Sequence, residues 1–277
     1  MSWFGKVIGG VLGFSLGGGP LGAIIGAVLG HQLDKKSDDY QERYAPGDQE
    51  RVQAAFFTAT FSVMGHIAKA DGRVTQNEIR HAENVMSRMG LDSDARKFAI
   101  DLFQQGKSSD FDLEAVVDQF KQECHRRRNL MQMFLEVQIT MALADGTMHE
   151  YERAVLHRVG KHLGFANFMI DQLIKMVQAQ QRFYGYSEQQ GQAGGGHGGT
   201  YQQAPDAPSV DQAYQVLGVK SSDDQKTIKR AYRRLMSQHH PDKLVAKGLP
   251  EEMIKMANEK TQEIKAAYEL IKRSRGW

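Results

Sequence analysis

The spacing of hydrophobic and polar positions divides the chain into four segments, three of which predict helices. Val7 to Gly30 is a run of 24 residues without a charge. From about Asp48 to Phe183, apolar residues recur at the spacing of consecutive amphipathic helices. The pattern predicts an all-α protein with a single N-terminal transmembrane helix. Its parts are a membrane anchor (1–33, span about 7–30), a central helical bundle (48–183), a flexible Gly/Gln-rich linker (184–209) and a C-terminal helical hairpin domain (210–277).

The uncharged run predicts a helix that crosses a membrane. At about 1.5 Å per residue it covers the roughly 30 Å hydrocarbon core, and no good signal-peptide cleavage site follows it. Lys35, Lys36 and Arg43 follow the run, whereas Lys6 alone precedes it. The positive-inside rule therefore places the short N-terminus outside and the body of the protein in the cytoplasm. A hairpin of two short helices is the alternative, but each arm would reach only about 20 Å.

Glycines recur every four residues within this run. Small residues at that spacing let helix backbones approach closely, which makes membrane helices associate. The two glycine series lie on different faces, and Pro20 after three glycines predicts a kink between them. We therefore expect a homodimer through the span. The candidate contacts are Gly5, Gly9, Gly13 and Gly17 in one series, and Gly18, Gly22, Gly26 and Gly30 in the other.

The central segment contains an internal repeat. Residues 69–91 recur as residues 143–165, with Asp-Gly, Glu and Gly at matching places 74 residues apart. Two copies of a helix, a tight turn and a helix indicate a pseudo-symmetric bundle. The matching carboxylates could converge as oxygen ligands of a metal ion. These candidate ligands are Asp71, Glu78, Asp145 and Glu152.

Helix capping explains the same residues without a metal. Gly72 and Gly146 suit left-handed turns after a helix, and Thr75 with Glu78 fits a capping box. The acidic residues of the second copy suit a first helical turn. The stretch AKADG lacks the alternating ligands of an EF-hand. Capping is therefore the preferred interpretation, and a metal site is the alternative.

The paired ADG…E turns resemble those of TerB-like helical domains, which are associated with tellurite resistance. The resemblance covers about half of the chain. It implies that the central segment is an interaction or sensing module rather than a catalyst.

In the C-terminal segment, a strongly basic helix ends at a polar turn. Ser222 is the expected cap of this helix, and its apolar stripe is Ile228, Ala231, Tyr232 and Leu235. Pro241 cannot continue the helix, so His240 and Asp242 are expected in a rigid turn. A third helix is expected from Pro250 to about Lys272. The cationic side chains opposite the stripe are Lys226, Lys229, Arg230 and Arg233.

Composition and charge exclude several classes of function. The formal net charge of +2 gives no global field that would favour nucleic acid. Cys124 is the single cysteine, which excludes a disulfide framework or a zinc cluster within one chain and suits the cytosol. No Ser-His-Asp, Cys-His or phosphate-loop arrangement is present, so neither an enzyme nor a cofactor is expected. The run HRRR (125–128) could touch anionic lipid, but we expect a solvated helix face.

The C-terminal segment resembles the J-domain of DnaJ-type co-chaperones. The resemblance rests on AYQVLGV, IKRAYRRLMSQHHPDK and EIKAAYELI in this order. It implies a DnaK-type, ATP-dependent chaperone as partner. His240, Pro241 and Asp242 would couple docking to ATP hydrolysis in that partner, and the basic face would meet its acidic surface. The protein would carry no hydrolytic site of its own.

The order of parts resembles the membrane-anchored DnaJ-like proteins of bacterial inner membranes. Ordinary DnaJ differs, because its J-domain is N-terminal and it carries cysteine-rich zinc modules. The resemblance implies a regulatory co-chaperone that dimerises through its span and has a link to envelope-stress or capsule signalling. Two alternatives stay open: a membrane-attached metal or stress sensor with the J-domain as an accessory docking module, and a structural membrane oligomer.

Overall fold

The structure is a computed structural model, and it describes residues 19–24, 48–70, 76–89, 91–143, 146–191, 209–250 and 253–277. These residues form helices and turns without a strand, so the all-α class is confirmed for the described part of the chain. No helix in this part is long and apolar enough to cross a membrane. The predicted span lies outside it except at residues 19–24. The chain divides into two compact units, residues 1–170 with 241–256, and residues 171–240 with 257–277.

The central segment forms helices that reproduce the internal repeat. They are α1 (Asp48–Ala68), α2 (Gln76–Arg88), α3 (Ser93–Gly106), α4 (Leu113–Cys124), α5 (Arg128–Ala142), α6 (Glu150–His162) and α7 (Asn167–Gly191). Helices α2 and α6 both have 13 residues, and their first residues are 76 and 150. Helices α1 and α5 end at Ala68 and Ala142, which is the same offset. The repeat is therefore two copies of a helix pair.

Helix α1 departs from the amphipathic pattern expected for this segment. Residues 52–65 are all buried, so α1 has no solvent-facing side over this stretch. The stretch contains no charged residue, which is typical of a helix buried all round. One of its buried hydroxyl groups is satisfied locally, because Ser62 Oγ donates to the carbonyl oxygen of Thr58 at 2.8 Å. Helix α1 is thus the centre of the bundle.

Three aromatic rings join α1 to its neighbours. Phe56 of α1 lies 5.8 Å from Phe120 of α4 and 6.3 Å from Phe134 of α5, measured between ring centroids, and the last two lie 4.7 Å apart. All three are fully buried, which contributes roughly 1.5–3 kcal/mol each. Gln138 Nε2 adds a buried hydrogen bond of 3.0 Å to the carbonyl oxygen of Thr60. Nearby, burial raises the pKa of Cys124 to about 12, so its thiol stays protonated at neutral pH.

Two glycines let the backbones of α1 and α3 come into direct contact. A Cβ atom at Gly106 would lie 1.7 Å from the carbonyl oxygen of Ser62, and one at Gly65 would lie 2.0 Å from that of Phe103. Backbone atoms cannot move aside as a flexible side chain can. The two positions therefore require glycine for steric reasons.

The turn glycines of the second repeat copy have positive φ, which the sequence predicted for Gly146. Gly146 has φ 88° and Gly164 has φ 83°. After α6, the Phe165 amide donates to the carbonyl oxygen of Gly160 at 2.8 Å, and the Gly164 amide donates to that of Lys161 at 3.0 Å. This pair of bonds is a Schellman cap. The equivalent glycines of the first copy, at 72 and 90, lie outside the described residues.

Helix α7 extends into the segment expected to be a flexible linker. It ends at Gly191 rather than at Phe183, a correction of eight residues. Glu and Gln, which are common in residues 186–190, have helix propensities close to that of Leu, and extending an existing helix needs no new nucleus. Residues 192–208 of the expected linker lie outside the described residues.

Four further helices form the C-terminal segment: α8 (Val210–Leu217), α9 (Gln225–His239), α10 (Pro241–Val245) and α11 (Ile254–Arg275). The last helix was expected from Pro250 to about Lys272. It begins at Ile254, directly after a 3₁₀ residue at Met253, and it ends three residues further on than expected.

We predict that Gly106→Ala destabilises the bundle by about 1–3 kcal/mol, because the added methyl group would force the α1 and α3 backbones apart. Hydrogen-exchange protection of α1 and α3 amides in the full chain measures the free energy of opening. Gly160→Ala is the matched control, since its Cβ would meet only the flexible end of the Ile170 side chain. Equal protection in the two variants would contradict the steric account.

Candidate partner-binding site

The site is built on α9 and α11, whose apolar stripes hold them side by side. Tyr232 of α9 stacks on Tyr268 of α11, with ring centroids 4.2 Å apart and an interplanar angle of 13°. The buried residues recur at three, four or seven positions, which keeps them on one face of each helix. They are Ile228, Ala231, Leu235 and His239 on α9, and Ala257, Ile264, Ala267 and Ile271 on α11. These faces are used for packing, which leaves the opposite face of α9 exposed.

Arg275 ties the end of α11 to the start of α9. Its Nε donates to the Tyr214 hydroxyl at 2.6 Å, and its Nη1 donates to the carbonyl oxygen of Asp223 at 2.8 Å. A third bond runs to the carbonyl oxygen of Ser221. Because the end of one helix meets the beginning of the other, α9 and α11 are antiparallel, as the sequence predicts.

Helix α9 is capped by Asp224, and the expectation of Ser222 is wrong. The Asp224 carboxylate accepts from the Thr227 amide at 2.8 Å. The hydrogen bonds from Thr227 hold the pKa of Asp224 below its usual value. Only the residue directly before the first helical residue has the extended backbone of a cap, and Ser222 lies two residues too early. Upstream, α8 is capped at its C-terminal end by Gly218, which has φ 65°.

The two adjacent histidines at the end of α9 have different environments. His239 is the last residue of α9 and is buried, whereas His240 is exposed and extended, with φ −60° and ψ 122°. An extended residue is expected directly before proline. Pro241 opens the short helix α10, where its missing N–H costs nothing, and Asp242 lies exposed in the first turn. In place of a longer turn, a single extended residue, His240, separates the end of α9 from the beginning of α10.

The basic face of α9 runs toward this turn. All four cationic residues identified from the sequence are exposed, and Arg234, not identified there, is exposed as well. Arg234 could have been recognised from its spacing, because it follows Arg230 by four residues, one helical turn. Helix α9 has no acidic residue of its own. At about 1.5 Å per residue, the cationic stripe from Lys226 to Arg234 is roughly 12 Å long, and the turn begins roughly 9 Å further along the chain.

The arrangement offers a surface that can recognise a partner. His240 and Asp242 offer polar contacts from a backbone that proline holds in place, and the neighbouring cations provide a long positive stripe. An acidic surface would complement both features.

The candidate metal ligands fall largely outside the described side chains. Only Glu152 can be described, and its carboxylate accepts from the His149 amide at 2.8 Å in a capping box. Capping is the role that the sequence favoured for this position. Among the described residues, no group of three or more His, Cys, Asp or Glu side chains could hold a metal ion. Asp71, Asp145 and the side chain of Glu78 lie outside the description.

The glycines proposed for membrane association are also mostly outside the description. Gly22 lies in the helical turn at residues 20–24 and is half-buried. The other seven are not described, so the dimer interface stays a prediction.

Three protein families match successive parts of the chain. The transmembrane domain of the co-chaperone DjlA matches residues 1–50, the tellurite resistance protein TerB matches residues 57–174, and the DnaJ domain matches residues 212–275. The DnaJ match contains the basic helix and the turn described above. Together these matches define a membrane protein of the J-domain co-chaperone class.

Curated relatives identify the family within that class. Co-chaperone protein DjlA of Yersinia pseudotuberculosis is 48% identical over 230 residues, covering 83% of both chains. The proteins of that name from Escherichia coli K12 and Salmonella typhimurium are also 48% identical over 83% of both chains. The chain belongs to the DjlA family of co-chaperones, as the order of its parts predicted. No solved structure matches it.

Proposed function

We propose that this protein is a regulatory co-chaperone that recruits a DnaK-type chaperone to a membrane and stimulates its ATP hydrolysis. The observation that carries the proposal is the exposed His240-Pro241-Asp242 turn at the end of a helix with five cations and no carboxylate. The protein is not itself an enzyme. It lowers the barrier in the partner's site by favouring the partner's active conformation.

The geometry supports a division of roles between the turn and the basic face. Proline limits the conformations of the turn before binding, so docking costs little ordering entropy. The cations act over a longer range and raise the rate of encounter with an acidic surface. The turn would therefore control stimulation, and the basic face would control association.

We further propose that the chain is a single-pass protein of the bacterial inner membrane, with residues 7–30 as its span. Positive charge after this run supports a short N-terminus in the periplasm and a body in the cytoplasm, where a DnaK-type chaperone is available. The two glycine series support a homodimer through the span. A role in envelope-stress or capsule signalling is part of this proposal and rests on the family resemblance.

Asp242→Asn and His240→Gln should each reduce stimulation of the chaperone's ATP hydrolysis to near the unstimulated rate. Both changes keep side-chain size while removing a charge or an imidazole. Folding should change little, because both residues are exposed and the buried stripes hold α9 to α11. The measurement is the ATPase rate of the cognate DnaK-type chaperone with the full chain in lipid vesicles, together with circular dichroism.

Asp211→Asn is the control for the turn variants, because it makes the same chemical change at an exposed residue in the first turn of α8. It should stimulate as the unchanged chain does. Full stimulation by Asp242→Asn would rule out the proposed role of the turn.

Reversing charge at Arg230 and Arg233 to Glu should weaken chaperone binding by about tenfold or more at low salt, chiefly through a slower on-rate. The salt dependence of binding should also flatten. Reversal of Lys255 and Lys265, which are exposed on α11, changes the net charge equally and should have a much smaller effect. Surface plasmon resonance at several salt concentrations tests this. Equal losses for the two double variants would indicate a net-charge effect instead of a binding face.

A reporter fused after Trp277 should be cytoplasmic, and the full chain should cross-link as a dimer in membranes. Replacing Gly22 and Gly26 by Leu should weaken the dimer by blocking close approach while keeping the span apolar. A periplasmic reporter would contradict the orientation. A dimer that persists when both glycine series are replaced would move the interface to another part of the chain.

A further inference from the structure

Two interhelical connections of the TerB-like bundle lie side by side. Lys121, near the end of α4, donates from Nζ to the carbonyl oxygen of His162 at the end of α6, at 2.7 Å. The Arg128 guanidinium, at the start of α5, lies 4.6 Å from the centroid of the Phe165 ring, which follows α6. Arg128 Nη2 also lies 3.8 Å from the Met169 sulfur. The α4–α5 and α6–α7 connections therefore form one continuous surface.

Phe168 stands out on this surface. Its relative exposure is 65%, against 37–39% for the other exposed large hydrophobic residues in the described part of the chain. It lies in the first turn of α7, beside the Arg128–Phe165 contact. The neighbouring Phe165 is buried, so the bundle does not need Phe168 for its core.

Cationic residues lie on or beside the two connections next to this aromatic side chain. The α4–α5 connection is not the solvated helix face expected for HRRR: α4 ends at Cys124 and α5 begins at Arg128, so the basic run lies at an interhelical turn. The basic residues on or beside the two connections are Lys121, Arg126, Arg127, Arg128 and Lys161, all exposed except the half-buried Arg127.

The nearby carboxylates cancel only part of this charge. Glu123 forms a two-oxygen ion pair with Arg51 at 3.0 Å, and its side chain is only 13% exposed. Asp118 pairs with His162 at 2.9 Å. Asp171, three residues after Phe168, is half-buried. We call the region of Phe168 and the five cations the Phe168 surface.

We propose that the Phe168 surface docks on the anionic lipid headgroups of the membrane that holds the N-terminal segment. An aromatic ring with cations around it suits a flat anionic interface, because the ring enters the headgroup layer while Lys and Arg contact phosphates. The match of residues 1–50 to a transmembrane domain supports attachment of the same chain to a bilayer. A tethered contact can be weak and still be occupied, because the anchor raises its effective concentration.

A lipid surface explains these features better than an acidic protein does. A stable protein interface buries about 800 Å² on each partner around an apolar core. Here one exposed aromatic residue stands among cations, which is a small apolar area with a large positive charge. Docking would fix the central domain at the membrane surface, a second attachment independent of the chaperone site.

The test uses the full chain in vesicles, with Phe168→Trp as a fluorescent reporter. Trp3 and Trp277 are first replaced by Phe, because they are the two natural tryptophans. With brominated phosphatidylglycerol vesicles, we expect a blue shift and several-fold more quenching than with brominated phosphatidylcholine vesicles. Raising the salt from 0.1 to 1 M shortens the Debye length from about 10 to about 3 Å and should reverse most of the quenching.

Two controls distinguish docking of the Phe168 surface from mere closeness to the bilayer and from a change in net charge. Tyr151→Trp places the reporter at another exposed aromatic residue of the same bundle and should show little quenching in either lipid. Arg126→Glu with Lys161→Glu should abolish the lipid-dependent quenching of the Phe168 reporter. Arg80→Glu with Lys97→Glu, at exposed residues of α2 and α3, makes the same change in net charge and should leave it intact.

Hydrogen exchange tests the proposal without a reporter, so it applies even if the tryptophan substitutions disturb the fold. In the unmodified chain, amides of residues 125–128 and 165–169 should exchange more slowly in phosphatidylglycerol than in phosphatidylcholine vesicles. Three results would overturn the proposal: equal behaviour in the two lipids, no quenching in anionic vesicles, or a blue shift that requires an added acidic protein instead of lipid.

Discussion

Close packing around α1 is the constraint on which the central domain depends. Fourteen consecutive residues of this helix, 52–65, are buried, and the rings of Phe56, Phe120 and Phe134 bring α1, α4 and α5 together. At Gly65 and Gly106 the approach to α3 is so close that a single methyl group does not fit. Helices of 12 to 15 residues are marginal alone in water, so their order comes from this shared core.

The C-terminal hairpin separates stability from recognition by assigning them to opposite faces of one helix. The buried stripe of α9, the Tyr232–Tyr268 stack and the Arg275 bonds hold the two long helices together. No cation of the basic face contributes to that stripe. The recognition face can therefore be highly charged without leaving a charge unpaired in the core, which would be costly. Asp224 is consistent with this separation, because its negative charge lies at the start of α9, at the opposite end from the turn.

Attachment to a membrane allows weak contacts with the bilayer to stay occupied, because it raises their effective concentration. A chaperone site on a tethered chain acts close to the bilayer, and a small cationic surface with one exposed ring needs little affinity of its own to stay at that bilayer. In the proposed arrangement the central domain is held at the lipid surface and the J-domain acts on the chaperone. The two surfaces use the same physical principle, cations meeting an acidic counterpart, but only the J-domain site adds a proline-held turn.

Much of this organisation followed from the sequence, because the signals were local. The 74-residue repeat, the all-α class, the left-handed glycine at 146 and the order of the three family segments are properties of short stretches and their spacing. The His240-Pro241-Asp242 turn was likewise identifiable, since proline restricts its own backbone and that of the residue before it.

Features that depend on contacts between residues far apart in the chain could not be predicted from the sequence in this way. The sequence did not indicate that α1 is buried all round, that His239 turns inward while its neighbour His240 faces solvent, or that Arg275 reaches back to Ser221 and Asp223. The cap of α9 is Asp224 and not the expected Ser222, because the helix begins at Gln225 and its cap is the residue directly before it. The sequence by itself determined which segments become helices and which short motifs they carry. Only the tertiary structure decided which helix is central and which loops meet, because both depend on residues far apart in the chain filling the same space.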